Sequence, residues 1–218
     1  MNHPLPRWLD DPAPTRIWIS MCNSPLGALH VASIDEGVCA LAFDDRVEAL
    51  EPRLRRRFGP FFVFARGDPH GAGRSLERYF DGELIAPTAV KLAVSPTPMQ
   101  HHVWRLVADI QPGATTTYAA LARRLGSPGG QRAVGVCLAS NPVPVLIPCH
   151  RVIAAHGGLG SHPGGMIVKR RLLEHEGVAF ADAGATARDI AVRSRAIGAA
   201  NDIVDSVELL DWPRYAAR

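Results

Sequence analysis

The periodicity of apolar residues changes between the two halves of this chain, and that change limits the fold more than any other feature. Between residues 15 and 43 the pattern is that of β-strands, and apolar and polar residues alternate over Arg16–Met21 and Ala28–Ala32. This alternation is typical of half-buried β-strands. After the proline-containing stretch 83–98, apolar residues recur at helical spacing over residues 100–110. The sequence therefore predicts an α+β fold, with a small N-terminal sheet and a mainly helical C-terminal half.

The other strands and helices of the N-terminal half are predicted from shorter sequence patterns. In chain order these are a strand at 38–43, a charged helix at 46–57, a strand at 61–64 and a helix at 76–80. Ser75 is predicted to cap the last of these helices. Residues 83–98 contain three prolines and are interpreted as a linker.

A helix-turn-helix is predicted after the linker. Thr116 or Thr117 can cap a helix over 118–125, the turn 126–130 is rich in glycine, and a further helix spans 131–140. Small residues on this last helix let its backbone approach another surface closely; they are Ala133, Gly135, Ala139 and Ser140. That surface is either a nucleic acid or the protein's own core, and the pattern alone leaves both readings open. A final helix is predicted at 166–175, and helical stretches rich in alanine are predicted beyond residue 181.

One short segment carries the chemistry of a reactive thiol. Cys149 is followed directly by His150 and Arg151 and preceded by the apolar run 143–147, which predicts a buried strand leading into a cleft. A free thiol titrates above neutrality and needs a neighbouring base to become a nucleophile. Pro148 restricts the backbone of this turn. The alternative is a buried structural cysteine beside a chance histidine.

Charge is distributed unevenly along the chain. Residues 97–177 contain eight Lys and Arg against three Asp and Glu, whereas the rest of the chain has sixteen against eighteen. A basic module beside a mildly acidic support predicts contact with a polyanion. A solvated basic surface is the alternative explanation.

The remaining composition excludes several classes of protein. No stretch of about 18 apolar residues is present, so no membrane span is expected, and the first residues lack the pattern of a signal peptide. We therefore expect a cytoplasmic protein with reduced thiols. Cys22, Cys39 and Cys137 lack metal-binding spacing and are interpreted as packing residues, so no metal site is expected.

The ordered motifs Arg132-Ala133-Val134, Asn141-Pro142, Pro148-Cys149-His150-Arg151 and 172–176 resemble those of the O6-alkylguanine-DNA alkyltransferases. These are the methylated-DNA–protein-cysteine methyltransferases, single-turnover enzymes of direct DNA repair. The resemblance is strong over residues 97–177 and weaker in the N-terminal half, at 24–27 and 76–82. It implies an RNase H-like sheet domain over 1–94 and a winged-helix-like alkyl-acceptor domain over 95–180. The tail 181–218 lies outside it.

The resemblance implies a role for each site residue. Cys149 would accept the methyl or alkyl group of O6-alkylguanine, with O4-alkylthymine as a further candidate substrate. His150, acting through a water and oriented by Glu176, would remove the thiol proton, while Asn141 would brace the turn and Tyr118 would donate to the guanine. Arg132 would fill the space of the flipped nucleotide. Further DNA contacts are expected at Thr117, Ala133, Gly135 and Ser140, and pocket walls at Pro144, Val152, His162 and Pro163.

Two of these positions depart from the family. His162 stands where a tyrosine usually packs on the flipped base, and Pro163 stands where a backbone N–H commonly bonds the guanine oxygen. Proline has no N–H, so one donor to the leaving group is missing unless His162 replaces it.

The expected partner is double-stranded DNA, bound by a monomer without a cofactor. The departures at His162 and Pro163 motivate a second hypothesis, a lesion binder or regulator on the same fold that transfers nothing. A third hypothesis, an unrelated Cys-His hydrolase, would leave Arg132 and the helix-turn-helix unexplained.

Overall fold

The N-terminal half is a four-stranded sheet. In this computed structural model, which describes residues 14–180 and 192–193, the strands are β1 (Thr15–Ser24), β2 (Gly27–Ile34), β3 (Gly37–Phe43) and β4 (Phe62–Arg66). Their order is β3-β2-β1-β4; β1 pairs antiparallel with β2, β2 antiparallel with β3, and β1 parallel with β4. The strands predicted from alternation are confirmed.

Two helices accompany the sheet. A 3-10 turn (Asp44–Ala49) leads into α1 (Leu50–Phe58), and α2 spans Ala72–Phe80. The predicted cap at Ser75 is wrong, because Ser75 lies inside α2 and its hydroxyl donates to the carbonyl of Ala86 at 2.7 Å. The carboxylate of Asp68 instead accepts from the N–H groups of Ala72 and Gly73 at 2.8 and 2.9 Å.

The proline-containing stretch 83–98 is bound to the sheet. It contains a 3-10 turn at Ala86–Ala89, and its later part pairs with β3. The N–H of Val38 donates to the carbonyl of Lys91 at 2.9 Å, and the N–H of Ala93 donates to the carbonyl of Val38 at 2.8 Å. The linker interpretation therefore misses that this stretch is part of the packed structure.

The C-terminal half is mainly helical, as predicted. Its helices are α3 (Pro98–Ala108), α4 (Tyr118–Arg124), α5 (Gln131–Ala139) and α6 (Gly165–His175), and the short strands β5 (Thr116–Thr117) and β6 (Val152–Ile153) pair in parallel. Thr97 and Gln100 form a reciprocal capping box at the start of α3. The hydroxyl of Thr117 caps α4 by accepting from the N–H of Ala120 at 3.1 Å. The predicted helix-turn-helix is thus present as α4 and α5.

One hydrophobic core joins the two halves. Leu29 and Leu41 of the sheet and Tyr79 of α2 belong to the same buried cluster as Val103 of α3 and Cys149. The predicted α+β class is confirmed. The domain boundary at residues 94 and 95 stays a prediction.

The end of the described chain forms a small ribbon. After α6, β7 (Ala179–Phe180) pairs antiparallel with β8 (Val192–Arg193). The helical prediction is wrong for Val192 and Arg193, and the rest of the tail lies outside the described residues. Among the described helices, none is long and apolar enough to span a bilayer.

Candidate active site

Cys149 is presented by a compact loop. The N–H of Ile147 donates to the carbonyl of Val143 at 2.9 Å, and Cys149 begins a 3-10 turn that spans Cys149–Arg151. The predicted strand over 143–147 is therefore wrong. A short apolar run that is buried on all sides looks the same in sequence whether it is a strand or a loop.

Asn141 holds this loop closed with its side-chain amide. Its Oδ1 accepts from the N–H of Val143 at 3.0 Å, and its Nδ2 donates to the carbonyl of Ile147 at 2.9 Å. The same Nδ2 lies 3.2 Å from Sγ of Cys149. Asn141 is almost fully buried, so its hydrogen bonds form in a low-dielectric environment, where they are strong.

The loop also contains the one described residue other than glycine with a positive φ. Val145 has φ 74°, a conformation that a β-branched side chain rarely adopts. Such a backbone costs on the order of 1–3 kcal/mol and persists only where the surrounding contacts enforce it. Here the amide of Asn141 and the bridge between Pro144 and Ile147 enclose Val145.

Burial keeps Cys149 protonated in the free protein. Its side chain is 2% exposed. Burial raises the pKa of the thiol to about 11, although the amide of Asn141 and the charge of Lys169 act in the opposite direction. A thiol with this pKa is almost entirely neutral at pH 7 and requires a base to react.

Glu176 is the centre of a buried polar cluster. Its Oε1 accepts from the hydroxyl of Tyr79 at 2.8 Å, from Nε2 of His150 at 2.9 Å and from Nη2 of Arg151 at 2.8 Å. Its Oε2 accepts from Nε of Arg151 at 2.9 Å. Arg151 also donates to the carbonyl of Ile110. Burial alone would raise the pKa of Glu176, but the hydrogen bonds and charges of His150 and Arg151 hold it well below its usual range.

This carboxylate fixes the tautomer of His150. An ionised carboxylate only accepts hydrogen bonds, so Nε2 of His150 carries the proton directed at Glu176. Nδ1 then has an open lone pair, and in the described structure this buried atom has no hydrogen-bond partner. Burial lowers the pKa of His150 below its usual value, outweighing the favourable effect of Glu176. His150 is therefore a neutral base at pH 7.

Tyr118 is the first residue of α4 and lies against the glycine-rich segment at Gly160 and Ser161. Its hydroxyl donates to the carbonyl of Ser161 at 3.3 Å. Burial raises the pKa of the phenol, so the hydroxyl keeps its proton. A Cβ on Gly160, which has φ +68°, would stand 2.7 Å from the Tyr118 oxygen. Gly160 is thus required for the close approach of this segment to the ring.

Lys169 is a site residue that the sequence prediction missed. Its ammonium group is completely buried and donates to the carbonyls of Val152 and Ser161. It also lies 5.7 Å from the centre of the Tyr118 ring. Burial lowers its pKa to about 8. The signal was present in the sequence, because Lys169 shares the apolar face of α6 with Leu172 and Leu173.

Comparison with known proteins identifies the family of this chain. Residues 98–178 match the family model described as "6-O-methylguanine DNA methyltransferase, DNA binding domain". The methylated-DNA–protein-cysteine methyltransferase of Methanosarcina acetivorans is 35% identical over 162 residues, which cover 74% of this chain and 99% of that protein. The chain belongs to this family. The enzyme of the same name from Salmonella typhimurium is 38% identical over 159 residues, 71% of this chain and 92% of that one.

Solved structures of the family share the fold. The O6-methylguanine methyltransferase of Mycobacterium tuberculosis superposes with a TM-score of 0.62 at 34% identity, covering 73% of this chain and 92% of that chain. The structure titled as Mycobacterium tuberculosis OGT in complex with DNA gives 0.61 at 32% identity, over 74% of this chain and 92% of that one. The family resemblance that the sequence motifs indicated is therefore confirmed.

The residues predicted to contact DNA lie on and beside α5. Arg132, Ala133 and Ser140 are exposed, and the apolar side chain of Val136 is 65% exposed between them. Gly135 is half-buried, and a Cβ there would meet the Tyr118 ring at an ordinary 3.8 Å. The alternative that the small residues pack α5 into its own core therefore does not fit Ala133 and Ser140. Thr117 is half-buried at the start of α4.

The predicted pocket residues come from the loop at Pro144, from Val152 of β6 and from the segment before α6 that contains His162 and Pro163. Pro144 and Val152 are buried, and Val152 offers its carbonyl to Lys169. His162 packs against Phe43 and lies edge-on to His150, with ring centres 6.3 Å apart. Nδ1 of His162 accepts from the N–H of Gly164 at 3.1 Å, whereas its Nε2 is buried and has no partner among the described residues.

The prediction about the other cysteines also agrees with the structure. Cys22, Cys39 and Cys137 are buried free thiols, and burial raises the pKa of each. Across the part of the chain that the structure describes, no cluster of His, Cys, Asp and Glu side chains could hold a metal ion.

Proposed function

We propose that this protein repairs DNA by transferring a methyl or larger alkyl group from O6 of guanine to Sγ of Cys149, once and irreversibly. In this step the carbon–oxygen bond breaks, a carbon–sulfur bond forms, and the electron pair of the broken bond stays on the guanine. The thioether that results is stable, so the alkyl group is not released from Cys149. The observation that carries the proposal is the buried Cys149 thiol beside a histidine base anchored by Glu176, in a chain of this family.

Proton movements in the proposal follow from the hydrogen bonds. Nδ1 of His150 takes the thiol proton through a water, because Nε2 is committed to Glu176. The imidazolium that forms is stabilised by this carboxylate, as in other activated nucleophiles. Tyr118 gives its proton or a hydrogen bond to the departing guanine, and burial keeps that proton on the phenol beforehand. No cofactor takes part.

DNA binding in the proposal uses the exposed face of α5. A thiol cannot reach O6 of a stacked base, so the nucleotide must rotate out of the duplex, at a cost of a few kcal/mol. Arg132 lies at the start of α5 and is exposed, and we assign it to the space that the nucleotide leaves. Contacts between the guanidinium of Arg132 and nearby DNA phosphates make DNA binding dependent on salt concentration and largely independent of the base sequence. We place this activity in the cytoplasm.

His162 has a specific role in this proposal. Pro163 cannot supply a backbone N–H to the guanine. The unpartnered Nε2 of His162 is buried beside His150, and a buried polar atom without a partner is costly. Because Nδ1 of His162 accepts from the N–H of Gly164, Nε2 carries the proton of the neutral ring, and we assign it as the donor that replaces the missing N–H.

Mass spectrometry tests the transfer directly. The full-length protein is incubated with duplex DNA containing O6-methylguanine, and the Cys149 peptide is expected to gain about 14 Da, a methyl group in place of a hydrogen. Cys149→Ser is the matched control and should gain nothing. An unmodified Cys149 in excess substrate would contradict the proposal.

A second candidate function is lesion binding without transfer, and Pro163 is the observation that favours it. In that case the protein would bind O6-methylguanine duplexes more tightly than undamaged duplexes, while the mass of Cys149 would stay unchanged. The same incubation, followed by a gel-shift measurement, separates the two functions.

A further inference from the structure

Tyr79 of α2 brings a hydroxyl group from the N-terminal half of the chain into the polar cluster around Glu176. The side chain is completely buried, and its oxygen lies 2.8 Å from Oε1 of Glu176. The proposed transfer assigns no part of the chemistry to this hydroxyl. A buried hydroxyl needs a hydrogen-bond partner, but the partner here is the same oxygen that binds the histidine base. The contact therefore links α2 to that base.

The hydroxyl of Tyr79 is the donor in this contact. Burial, together with the charge of Glu176, holds the pKa of the phenol far above its usual value, so the proton stays on the oxygen at neutral pH. An ionised carboxylate only accepts hydrogen bonds. Tyr79 therefore takes up part of the negative charge of Glu176 without adding a charge of its own.

Three donors share one oxygen of this carboxylate. Oε1 of Glu176 accepts from the Tyr79 hydroxyl at 2.8 Å, from Nε2 of His150 at 2.9 Å and from Nη2 of Arg151 at 2.8 Å. Oε2 accepts from Nε of Arg151 at 2.9 Å and, at the longer distance of 3.4 Å, from the N–H of Gly113. Each hydrogen bond to a carboxylate stabilises its charge. The bond from Tyr79 therefore reduces the negative charge that Oε1 presents to the imidazole.

Other groups act on the protonation of His150 as well. Burial lowers the pKa of His150, Glu176 raises it, and the charges of Arg151 and of Lys169 in α6 lower it. His162, from the segment before α6, lies edge-on to the same ring with ring centres 6.3 Å apart. Removal of one phenolic hydroxyl leaves all of these groups in place, so its effect on the imidazole can be measured separately.

We propose that Tyr79 is a positioning residue for the alkyl transfer, and that its hydroxyl limits how strongly Glu176 stabilises the protonated imidazole of His150. Without the hydroxyl, Oε1 would stabilise the imidazolium more, and His150 would be protonated, and so unable to act as a base, at a higher pH. The N-terminal half thereby helps to keep the base neutral. The link to transfer rests on the proposed function, whereas the effect on His150 does not depend on it.

Titration of His150 in full-length Tyr79→Phe tests the proposal. Phenylalanine keeps the ring that packs edge-on against Phe80 and His175, with ring centres 5.0 and 4.9 Å apart, and it removes only the hydroxyl. ¹⁵N chemical shifts follow the imidazole, and His150→Gln identifies its signals. The titration midpoint of His150 should rise by about 0.5–1 pH unit relative to the wild type. An unchanged or lower midpoint would overturn the proposal.

Ser75→Ala is the matched control. Ser75 lies in the same helix and also has a buried hydroxyl, which donates to the carbonyl of Ala86 at 2.7 Å instead of to Glu176. Both substitutions remove one buried donor from α2, so both should lower the free energy of unfolding. Only Tyr79→Phe should move the midpoint of His150. An equal shift in Ser75→Ala would show that the effect comes from loosening α2, and would contradict the assigned role.

A fluorinated tyrosine gives a test of opposite sign. 3-Fluorotyrosine at position 79 keeps the hydroxyl and makes it more acidic, so it is a stronger donor to Glu176 and the midpoint of His150 should fall below that of the wild type. This chain decides the question if Tyr79→Phe does not fold, which circular dichroism shows. A midpoint that stays the same or rises with 3-fluorotyrosine would refute the sharing of charge at Oε1.

Single-turnover kinetics connect the effect to transfer. With duplex DNA that contains O6-methylguanine, the acid decline of the rate should move to higher pH in Tyr79→Phe, by the same amount as the NMR midpoint. A rate that is lower at every pH, with an unmoved decline, would reduce Tyr79 to a structural residue and contradict the proposal. Absence of transfer in the wild type would refute the proposed function, while the titration would still decide the effect of Tyr79 on His150.

Discussion

The two ring nitrogens of His150 have opposite environments. On the Nε2 side, the carboxylate of Glu176 binds the imidazole, Arg151 and Tyr79, and each of these contacts is buried. Nδ1, in contrast, has no hydrogen-bond partner within the described structure, and neither has Nε2 of the neighbouring His162. The hydrogen bonds at Nε2 therefore hold the site together, whereas Nδ1 is available to the groups that react.

The anchored side connects distant parts of the chain. Tyr79 of α2 and Glu176 after α6 are 97 residues apart and meet at 2.8 Å. The carboxylate thereby ties the N-terminal helix to the active-site turn. A change there should affect folding, whereas a change on the open side should affect chemistry. Substitutions on the two sides of His150 should therefore have distinguishable effects.

Glu176→Gln should give the greatest loss of stability. It removes the charge that compensates the buried guanidinium of Arg151, and breaking a buried pair in this way costs about 3–5 kcal/mol. Denaturant unfolding measures the change. Glu174→Gln is the matched control, because its pair with Arg170 is partly exposed and contributes at most about 1 kcal/mol. Equal losses in the two variants would contradict the anchoring role.

Asn141→Ala should have the next largest effect. It leaves the N–H of Val143 and the carbonyl of Ile147 without partners in a buried loop, which costs about 1–3 kcal/mol. The strained Val145 lies between them, so we also expect slower alkyl transfer in single-turnover assays. Asn23→Ala, at an exposed position of β1, is the control. A folded variant with the wild-type rate and stability would show that the amide does not brace the loop.

His162→Phe should separate chemistry from folding. Phenylalanine keeps an aromatic ring, although a somewhat larger one, and removes both the buried atom without a partner and the acceptor of the Gly164 N–H, so the free energy of unfolding should fall by about 1 kcal/mol. Loss of the donor should slow transfer by about tenfold, equivalent to about 1.4 kcal/mol. His102→Phe, on the exposed side of α3, should leave the rate unaltered. An unchanged rate in His162→Phe would remove His162 from the proposed mechanism.

The pH dependence of transfer should be flat near neutrality. The pKa of His150 lies below its usual 6.5, so the neutral base is fully present above that pH and is lost only as pH falls further. We expect a constant single-turnover rate from about pH 8 to pH 6.5 and a decline below. If the thiol ionised directly to water instead, its pKa of about 11 would make the rate fall tenfold per pH unit across this range.

Much of the fold could be predicted because it depends on local patterns in the amino-acid sequence. Alternation located β1 and β2, apolar spacing located α3, and Thr116 or Thr117 was expected to mark the start of α4, where Thr117 is the cap. These features depend on residues close together in the chain. The motifs around Cys149 identified the family for the same reason.

The rest depended on contacts between distant residues. Ser75 looks like a cap in sequence, but the carboxylate of Asp68 takes that role and Ser75 binds Ala86. Glu176 was expected to orient His150, yet its bonds to Arg151 and Tyr79 follow only from the packing of three separate segments. Lys169 was missed because a buried lysine is rare.

The tautomer of His150 tests the central claim most directly. ¹⁵N chemical shifts of this imidazole, measured in the free protein at pH 7, distinguish a protonated nitrogen from one with a lone pair. We expect Nε2 to carry the proton directed at Glu176 and Nδ1 to be unprotonated. A proton on Nδ1, in the neutral ring or in an imidazolium, would contradict the assignment of that nitrogen as the base for Cys149.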